Sequence, residues 1–365
     1  MSAREIVAKL VRPEILAMHA YSVPDAKGMV KLDAMESPYR LPPALAAEIG
    51  DVVSRVSMNR YPVPSATELR ALIREVMQVP AGCDVLLGNG SDECIQYITA
   101  ALAREGAVVM APAPSFVMFS MQALFFRLRF VGVPLREDFA LDTGAFLAAM
   151  AKEQPALVWI AFPNNPTGNA FPVADIERII RAATGLVVID EAYQPFAGAS
   201  FLPRLAEFEN MVVMRTVSKI GMAGLRLGYV CGKQEWIEAF NKTRPPYNIN
   251  VLTEAVAIKL MQNKRVLDAQ AAQVLEERER VRAELERLPG LKVYPSAANF
   301  LLARVAGKQA APGAGTRVFE SLKRQGVLVK DFSGGHPLLE DCLRLSIGTP
   351  EENRILVAAL REALK

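Results

Sequence analysis

The sequence contains 365 residues, of which 51% are hydrophobic and 22% are charged, so it encodes a folded globular protein long enough for two domains. Its 42 basic and 39 acidic side chains nearly balance, and the formal charge of +3 gives no reason to expect a nucleic-acid or membrane partner. Only two histidines are present, which argues against a histidine-rich metal site and a histidine-based catalytic triad, so no metal is expected.

Residues 1–30 show no strand pattern and no apolar signal-peptide core, and we expect them to form an arm that packs on a partner. No apolar run approaches the roughly 18 to 20 residues that a membrane-spanning helix needs. The four cysteines lie far apart and lack CxxC spacing, which is typical of free thiols in a reducing compartment. We therefore expect a cytoplasmic protein.

Residues 31–250 alternate short apolar runs with helical patterns. The predicted strands are 84–87, 107–110, 128–133, 157–162, 186–189, 211–216 and 227–231. The predicted helices between them include 92–104, 115–125, 144–152 and 173–183. Several strands are apolar at nearly every position, as strands covered on both faces are. This pattern predicts an α/β fold, with a large doubly wound, mostly parallel sheet domain that binds ligands at the carboxyl ends of its strands.

Residues 251–365 have a different pattern, which predicts a smaller α+β C-terminal domain. The segment 251–288 is helix-forming almost throughout. Short predicted strands and a C-terminal helix follow, at 291–294, 300–303, 327–329, 343–347 and from about residue 350. The tract 305–316 is rich in Gly, Ala and Pro and is predicted to be a surface loop.

Polar residues end an apolar run in five separate segments, the first of which is LGNGSDE at 87–93. Its glycines permit a tight turn, after which Ser91 or Asp92 opens a helix whose free N–H groups attract an anion. The alternative is an ordinary helix start with a serine N-cap. Glu93 occupies the place of the third glycine of a dinucleotide fingerprint, and the chain contains no GxxxxGK[ST] phosphate loop.

The second segment follows its apolar run with an asparagine-rich turn, and the third follows its apolar run with a carboxylate. The NNPTG turn at 164–168 is explained by its composition alone, although an asparagine at a strand end can also bind a ligand oxygen. Asp190 directly follows the apolar run 186–189, and a buried carboxylate is unfavourable unless a positive group meets it. A metal ion, a protonated heterocyclic nitrogen and a helix N-cap are the three open explanations.

The last two segments contain basic residues. Lys219 follows a strand-like run beside Ser218, and Arg226 comes seven residues later, which fits either a surface turn or a bound anion with a reactive amine. Arg344 falls inside an alternating strand, where it is either a surface residue or a bidentate ligand for a carboxylate. One cofactor needs an amine, a carboxylate facing a ring nitrogen and a phosphate site together: pyridoxal 5′-phosphate, PLP.

The motifs GNGSDE, NNPTG, VVIDEAY, TVSKIGMAGLRLGY and LRLSIGTPEE, in this order, resemble those of the fold-type I PLP-dependent aminotransferases. The resemblance covers roughly residues 60 to 350. Within that group the chain is most similar to the histidinol-phosphate aminotransferases. This narrower similarity rests on LDAMESPYRLP near the N-terminus, on Arg60-Tyr61-Pro62, on NGSDE and on the short spacing to LRLSIGTPEEN.

The resemblance implies a role for each residue around the cofactor ring. Lys219 would bind PLP covalently and move the proton during transfer, because burial and a nearby cation lower the pKa of a lysine. Asp190 would keep the ring nitrogen protonated. Tyr193 and Asn165 would hydrogen-bond the ring oxygen, and Phe116 would stack on the ring.

The resemblance also implies a phosphate site and a dimer. The cofactor phosphate would contact the backbone N–H groups at Ser91 and Asp92, the Ser218 hydroxyl and Arg226. Tyr61 would reach the phosphate bound by the neighbouring subunit, so the active unit would be a homodimer with shared active sites.

The substrates implied are L-histidinol phosphate and the pair glutamate and 2-oxoglutarate, in histidine biosynthesis. Arg344 would hold the substrate's phosphate or carboxylate, and Lys330 stands where relatives often have an arginine. Tyr21 would line the substrate pocket, together with Tyr61 and Asn165.

Three alternatives stay open from the sequence. An aromatic amino-acid transaminase and a PLP-dependent phospho-amino-acid decarboxylase would use the same scaffold. A non-catalytic PLP-binding regulator usually has a DNA-binding segment before this fold. The large domain is predicted to begin within about 40 residues, which disfavours the regulator.

Overall fold

The computed structural model describes residues 1–20, 24–307 and 311–365, with a seven-stranded sheet at its centre. Before the sheet come α1 (Ala3–Leu10), α2 (Pro13–Leu16), β1 (Val30–Lys31), α3 (Pro43–Ser54) and α4 (Thr67–Val76). The sheet and its helices comprise β2 (Cys83–Asn89), α5 (Ser91–Leu102), β3 (Val108–Ala113), α6 (Val117–Phe125), β4 (Arg129–Pro134), α7 (Thr143–Glu153), β5 (Leu157–Ala161), α8 (Val173–Ala182), β6 (Leu186–Asp190), α9 (Gln194–Ala197), β7 (Met211–Thr216), β8 (Leu227–Lys233) and α10 (Gln234–Asn241). The C-terminal elements are α11 (Val251–Gln262), α12 (Lys264–Leu285), β9 (Leu291–Val293), β10 (Phe300–Val305), α13 (Ala314–Arg324), β11 (Val327–Leu328), β12 (Lys330–Asp331), β13 (Cys342–Ser346) and α14 (Pro350–Ala363).

The large sheet has the strand order β2-β8-β7-β6-β5-β3-β4. Strand β8 runs antiparallel to both of its neighbours, and the other pairs are parallel. Every residue of β5, β6 and β7 is buried, because helices cover both faces of the sheet. Since these three strands are parallel neighbours, their carboxyl ends meet at one edge. The predicted α/β fold with a mostly parallel sheet is confirmed.

The C-terminal elements form a four-stranded antiparallel sheet with the order β12-β13-β10-β9, which packs against α12 and α13, and α14 packs against these two helices. Strand β1 pairs in parallel with β11, which brings the segment after residue 30 to this smaller sheet. The first helix of the C-terminal part, α11, packs against α3 and α4. The domain limits at residues 30 and 250 stay predictions.

Several elements differ from those predicted. The helical segment 251–288 is two helices, because α11 ends at Gln262 with Asn263 as its C-cap and α12 begins at Lys264. The predicted loop 305–316 is wrong at its end, since α13 begins at Ala314 and packs on β10; residues 308–310 lie outside the described part. The arm contains two helices, and Arg12 donates to the Phe125 carbonyl of the same chain at 3.0 Å.

In the described ranges, no helix combines the length and the apolar character that crossing a bilayer requires.

Candidate active site

A cavity of about 730 Å³ lies at the carboxyl ends of β5, β6 and β7, and residues of the smaller sheet complete its wall. It brings together most of the predicted site residues, namely Ser91, Asp92, Phe116, Asn165, Asp190, Tyr193, Ser218, Lys219, Arg226, Lys330 and Arg344. These residues are up to 253 positions apart along the chain (91 to 344), so the fold, and not local sequence, assembles the site.

Lys219 lies just after β7, in a short 3₁₀ turn formed by Ser218–Ile220. Its Nζ donates a hydrogen bond to the carbonyl oxygen of Ala34 at 3.1 Å. Burial lowers the pKa of Lys219 to about 8, and the positive charge of Arg344 contributes to the lowering. About a tenth of this amine is therefore uncharged at pH 7, far more than of an ordinary lysine, and a nucleophile or a general base must be uncharged.

Asp190 is the last residue of β6, at the centre of the large sheet, and only 5% of it is exposed. Its Oδ1 accepts a hydrogen bond from the Ala192 N–H at 3.0 Å. Burial raises the pKa of Asp190 to about 7, because the charged form has lost its water. The next helix, α9, begins at Gln194 with Tyr193 as its N-cap, so Asp190 does not cap a helix.

The start of α5 forms one side of an anion site. Ser91 is the first helical residue, and Gly90 is the N-cap without any side-chain cap, so the serine-cap alternative is wrong. Gly90 has φ +80°, and a Cβ at this position would lie 2.6 Å from Nη2 of Arg226. A Cβ on Gly228 would lie 2.6 Å from the Ser91 nitrogen. Glycine at both positions therefore lets Arg226 and β8 approach the helix start closely.

The opposite side of this anion site is made by residues that follow β7. The Ser218 hydroxyl lies 2.9 Å from Oγ1 of Thr216, which also accepts a hydrogen bond from the Ser218 N–H at 3.2 Å. Arg226 has a left-handed backbone, with φ 50° and ψ 49°, and its Nη2 lies 3.4 Å from Oδ2 of Asp92. We name the first N–H groups of α5, the Ser218 hydroxyl and the Arg226 guanidinium the anion cup.

Arg344 lies on β13 and is only 7% exposed, so it is not a surface arginine. Its Nη1 donates to Oδ1 of Asn165 at 2.5 Å, and its Nη2 donates to the Asp33 carbonyl at 2.9 Å. The guanidinium also lies over the rings of Phe300 and Phe332, at 5.5 and 5.2 Å from their centroids. Lys330 on β12 is the direct cross-strand neighbour of Arg344, so two cations line this end of the cavity.

Aromatic and amide groups line the space between the anion cup and Arg344. The Tyr193 hydroxyl donates to Sδ of Met35 at 3.3 Å, and its ring meets Phe300 edge-on. Phe116 is the N-cap of α6 and contacts Phe119 edge-on. Since Arg344 occupies the oxygen of Asn165, the amide nitrogen is the group that this residue offers to a ligand.

A family model described as "Aminotransferase class I and II" matches residues 27–360. The chain belongs to this aminotransferase family. It is 56% identical to "Histidinol-phosphate aminotransferase 2" of Cupriavidus pinatubonensis, over 99% of this chain and 98% of that one. It is 55% identical to "Histidinol-phosphate aminotransferase 1" of Burkholderia lata, over 97% of this chain and 98% of that one.

A solved structure supports the fold of this aminotransferase. The histidinol-phosphate aminotransferase from Sinorhizobium meliloti, in complex with pyridoxal-5′-phosphate, has a TM-score of 0.86 and 24% sequence identity, and covers 97% of each chain. At this identity the likeness shows the fold alone. The family resemblance predicted from the motifs is confirmed by the family match and by the nearly full-length identity to curated relatives.

Among the described residues, one predicted site residue, Tyr61, does not line the cavity of this aminotransferase chain. Tyr61 is 81% exposed and stacks on Tyr247, with 4.7 Å between the ring centroids. Its predicted role requires a second subunit and stays a prediction. Tyr21 lies outside the described residues.

The segment 33–36 also lines the cavity, although none of its residues was assigned a role in the site from the sequence. It reaches the site because β1 pairs with β11, and its carbonyls at Asp33 and Ala34 accept hydrogen bonds from Arg344 and Lys219. The sequence LDAMES served only as a mark of family resemblance. Phe319 of α13 also lines the cavity, on a helix that was predicted to begin as a loop.

Proposed function

We propose that this aminotransferase exchanges an amino group between L-histidinol phosphate and 2-oxoglutarate, with PLP as cofactor, in histidine biosynthesis. The observation that carries the chemistry is one cavity holding an amine of lowered pKa, a buried carboxylate and an anion cup. The substrate is supported by the 56% identity to a curated histidinol-phosphate aminotransferase over nearly the full length of both chains.

The donor groups of the cavity fit PLP. Within the part of the chain that the structure describes, the Ala192 N–H is the one hydrogen-bond donor to the buried Asp190 carboxylate. A protonated ring nitrogen would supply the missing positive partner, and the raised pKa of Asp190 marks that need. Arg226, Ser218 and the start of α5 would hold the phosphate, since helix N-termini and arginines favour anions.

When bound, PLP supplies an electron sink next to the carbon that exchanges the amino group. The chain's own residues would then handle protons and position. Nζ of Lys219 would take a proton from that carbon and return it to the neighbouring one, because its lowered pKa allows both protonation states near neutral pH. The Tyr193 hydroxyl and the Asn165 amide would hydrogen-bond the ring oxygen, and Phe116 would cover the ring.

Arg344 and Lys330 would bind the far end of the substrate. Arg344 is held rigidly by Asn165 and the Asp33 carbonyl, so its fork can meet a phosphate or a carboxylate without reorganising. Lys330 adds a second positive charge next to it on β12. A dianionic phosphate would use both cations, whereas the carboxylate of glutamate would need only the fork of Arg344.

The substrate is tested with a panel of amino donors and 2-oxoglutarate. Among histidinol phosphate, phenylalanine, tyrosine, aspartate and threonine phosphate, we expect the highest kcat/KM for histidinol phosphate. Lys330→Met should lower that value about tenfold, as loss of one charge-assisted hydrogen bond does, and should affect glutamate less. Lys323→Met, at an exposed position of α13, is the control.

Two results would overturn the proposed substrate. A preference for phenylalanine would make the chain an aromatic amino-acid transaminase. Release of CO₂ from threonine phosphate would make it a decarboxylase of phospho-amino acids.

We also propose a homodimer with shared active sites, acting in the cytoplasm. Met58, Tyr61, Val63 and Tyr247 are exposed apolar side chains, a pattern typical of a contact surface. The four cysteines are buried and unpaired, as expected in a reducing compartment.

Mixing two inactive variants tests the shared site. Tyr61→Ala and Lys219→Ala should each lose activity, and refolding them together at equal amounts should restore about a quarter of it, since half the dimers then contain one intact site. Mixing Lys219→Ala with Asp190→Ala should restore nothing, because both of these residues belong to the same subunit's site. Activity that stays absent in the first mixture would contradict the sharing of Tyr61.

A further inference from the structure

Glu93 lies in the first turn of α5, next to the anion cup, and does not line the cavity. Its Oε2 accepts two hydrogen bonds, from the Asn89 N–H and from Nδ2 of Asn248, both at 2.6 Å. Asn89 ends β2 and directly precedes Gly90, the N-cap of α5. The Glu93 carboxylate therefore stabilises the turn at 89–91 from the side that faces away from the cavity.

Asn248 continues this contact away from the cup. Its Nδ2 donates to Glu93 and also to the Leu87 carbonyl at 3.1 Å, while its Oδ1 accepts from Nη1 of Arg244 at 2.5 Å. Acceptors on one side and a donor on the other fix the orientation of the amide. Asn248 and Arg244 both lie in the loop between α10 and α11, the segment where the character of the sequence changes.

Arg244 extends the chain of hydrogen bonds to the segment that carries Tyr61. Its Nη2 donates to the Pro64 carbonyl at 3.2 Å, three residues after Tyr61. Tyr61 itself stacks on Tyr247, the neighbour of Asn248. The loop 242–250 thus contacts the helix start on one side and the Tyr61 segment on the other.

We propose that Glu93, Asn248 and Arg244 form a positioning relay, which sets the anion cup and the Tyr61 segment relative to each other. This inference rests on the proposed function, because it assigns the cup to the phosphate of PLP. A carboxylate beside a phosphate site would by itself repel the anion. The relay explains why Glu93 is there. One of its carboxylate oxygens accepts hydrogen bonds from two donors, and these bonds fix the position of the N–H groups that would bind the phosphate.

The relay predicts a loss of affinity that depends on the phosphate. In the cofactor-free protein, Glu93→Ala should weaken PLP binding about tenfold, as loss of a charge-assisted hydrogen bond does, and leave the binding of pyridoxal, which has no phosphate, unchanged. Glu93→Gln keeps an oxygen that accepts from both donors, so its PLP affinity should stay within about twofold of the original. Titrations followed by protein fluorescence measure both affinities.

Matched variants separate positioning from general damage. Glu105→Ala, at an exposed position after α5, should change neither affinity. Asn248→Ala removes one donor and should give the same PLP-specific loss, and the double variant with Glu93→Ala should lose less than the product of the two single losses. Asn248→Ala also keeps the test valid if Glu93→Ala does not fold.

Three results would overturn the relay. These are an equal loss of PLP and pyridoxal binding in Glu93→Ala, unchanged PLP binding in that variant, and losses that multiply fully in the double variant. Failure of the proposed function looks different, because the unmodified protein would then bind PLP no better than pyridoxal.

Discussion

Lys219→Ala will abolish transamination and the covalent attachment of PLP. The substitution removes the Lys219 amine just after β7. Among the described residues that line the cavity, this is the lysine whose pKa is lowered by burial. Loss of a positioned general base alone lowers turnover by about 10² to 10⁴-fold, and loss of the nucleophile adds to it. The checks are the initial rate with histidinol phosphate and the intact mass after borohydride reduction, which should show no added cofactor.

The pH dependence of attachment tests the same residue independently of turnover. Because burial and Arg344 place the pKa of Lys219 at about 8, the uncharged amine increases as the pH rises through that value. The rate of PLP attachment to the cofactor-free protein should rise with pH and be half-maximal near pH 8. Lys323→Ala should behave like the unmodified protein, since this side chain is exposed on α13. A Lys219→Ala protein that transaminates at the unmodified rate would contradict the assignment.

The position of the central site residues could be predicted because it follows from the sheet. The run 186–189 before Asp190 is apolar throughout, and the strand before Lys219 begins with the four apolar residues 211–214, so both segments were predicted to be buried strands. In a parallel sheet the polar residues after such strands meet at one edge. Periodicity and strand direction were therefore enough to bring Asn165, Asp190 and Lys219 together.

The outer wall of the cavity could not be predicted, because distant pairings create it. The two-residue strand β1 is too short to give a periodic signal, yet its pairing with β11 places the carbonyls of Asp33 and Ala34 on Arg344 and Lys219. Arg344 has an ordinary place on an alternating strand, and it becomes a buried cation through contacts with residues distant in sequence, such as Asn165 and Phe300. The contact between Glu93 and Asn248 joins positions 155 residues apart, beyond any local pattern.

Asp190→Asn will separate cofactor binding from protein stability. The substitution keeps the volume of the side chain and removes its charge, so the protonated ring nitrogen of PLP loses its partner. Breaking a buried charge pair costs about 3 to 5 kcal/mol, which corresponds to at least about a hundredfold loss of PLP affinity. Turnover should fall with it, because the cofactor withdraws electrons less strongly. Asp51→Asn, on the exposed face of α3, is the control and should change neither property.

The cofactor-free protein should respond to Asp190→Asn in the opposite direction. Burial raises the pKa of Asp190 from its ordinary value of 3.8 to about 7, so the folded chain binds a proton there that the unfolded chain releases. Its destabilising effect therefore grows as the pH rises from about 4 to about 7 and is complete above 7. The substitution removes this penalty, and the melting temperature of the variant without PLP should exceed that of the original protein at about pH 8 and match it near pH 4. A variant that is less stable than the original protein at about pH 8 would make Asp190 a structural residue. A variant that is more stable but has lost PLP affinity is the expected result, because Asp190 then destabilises the fold and serves to bind the cofactor.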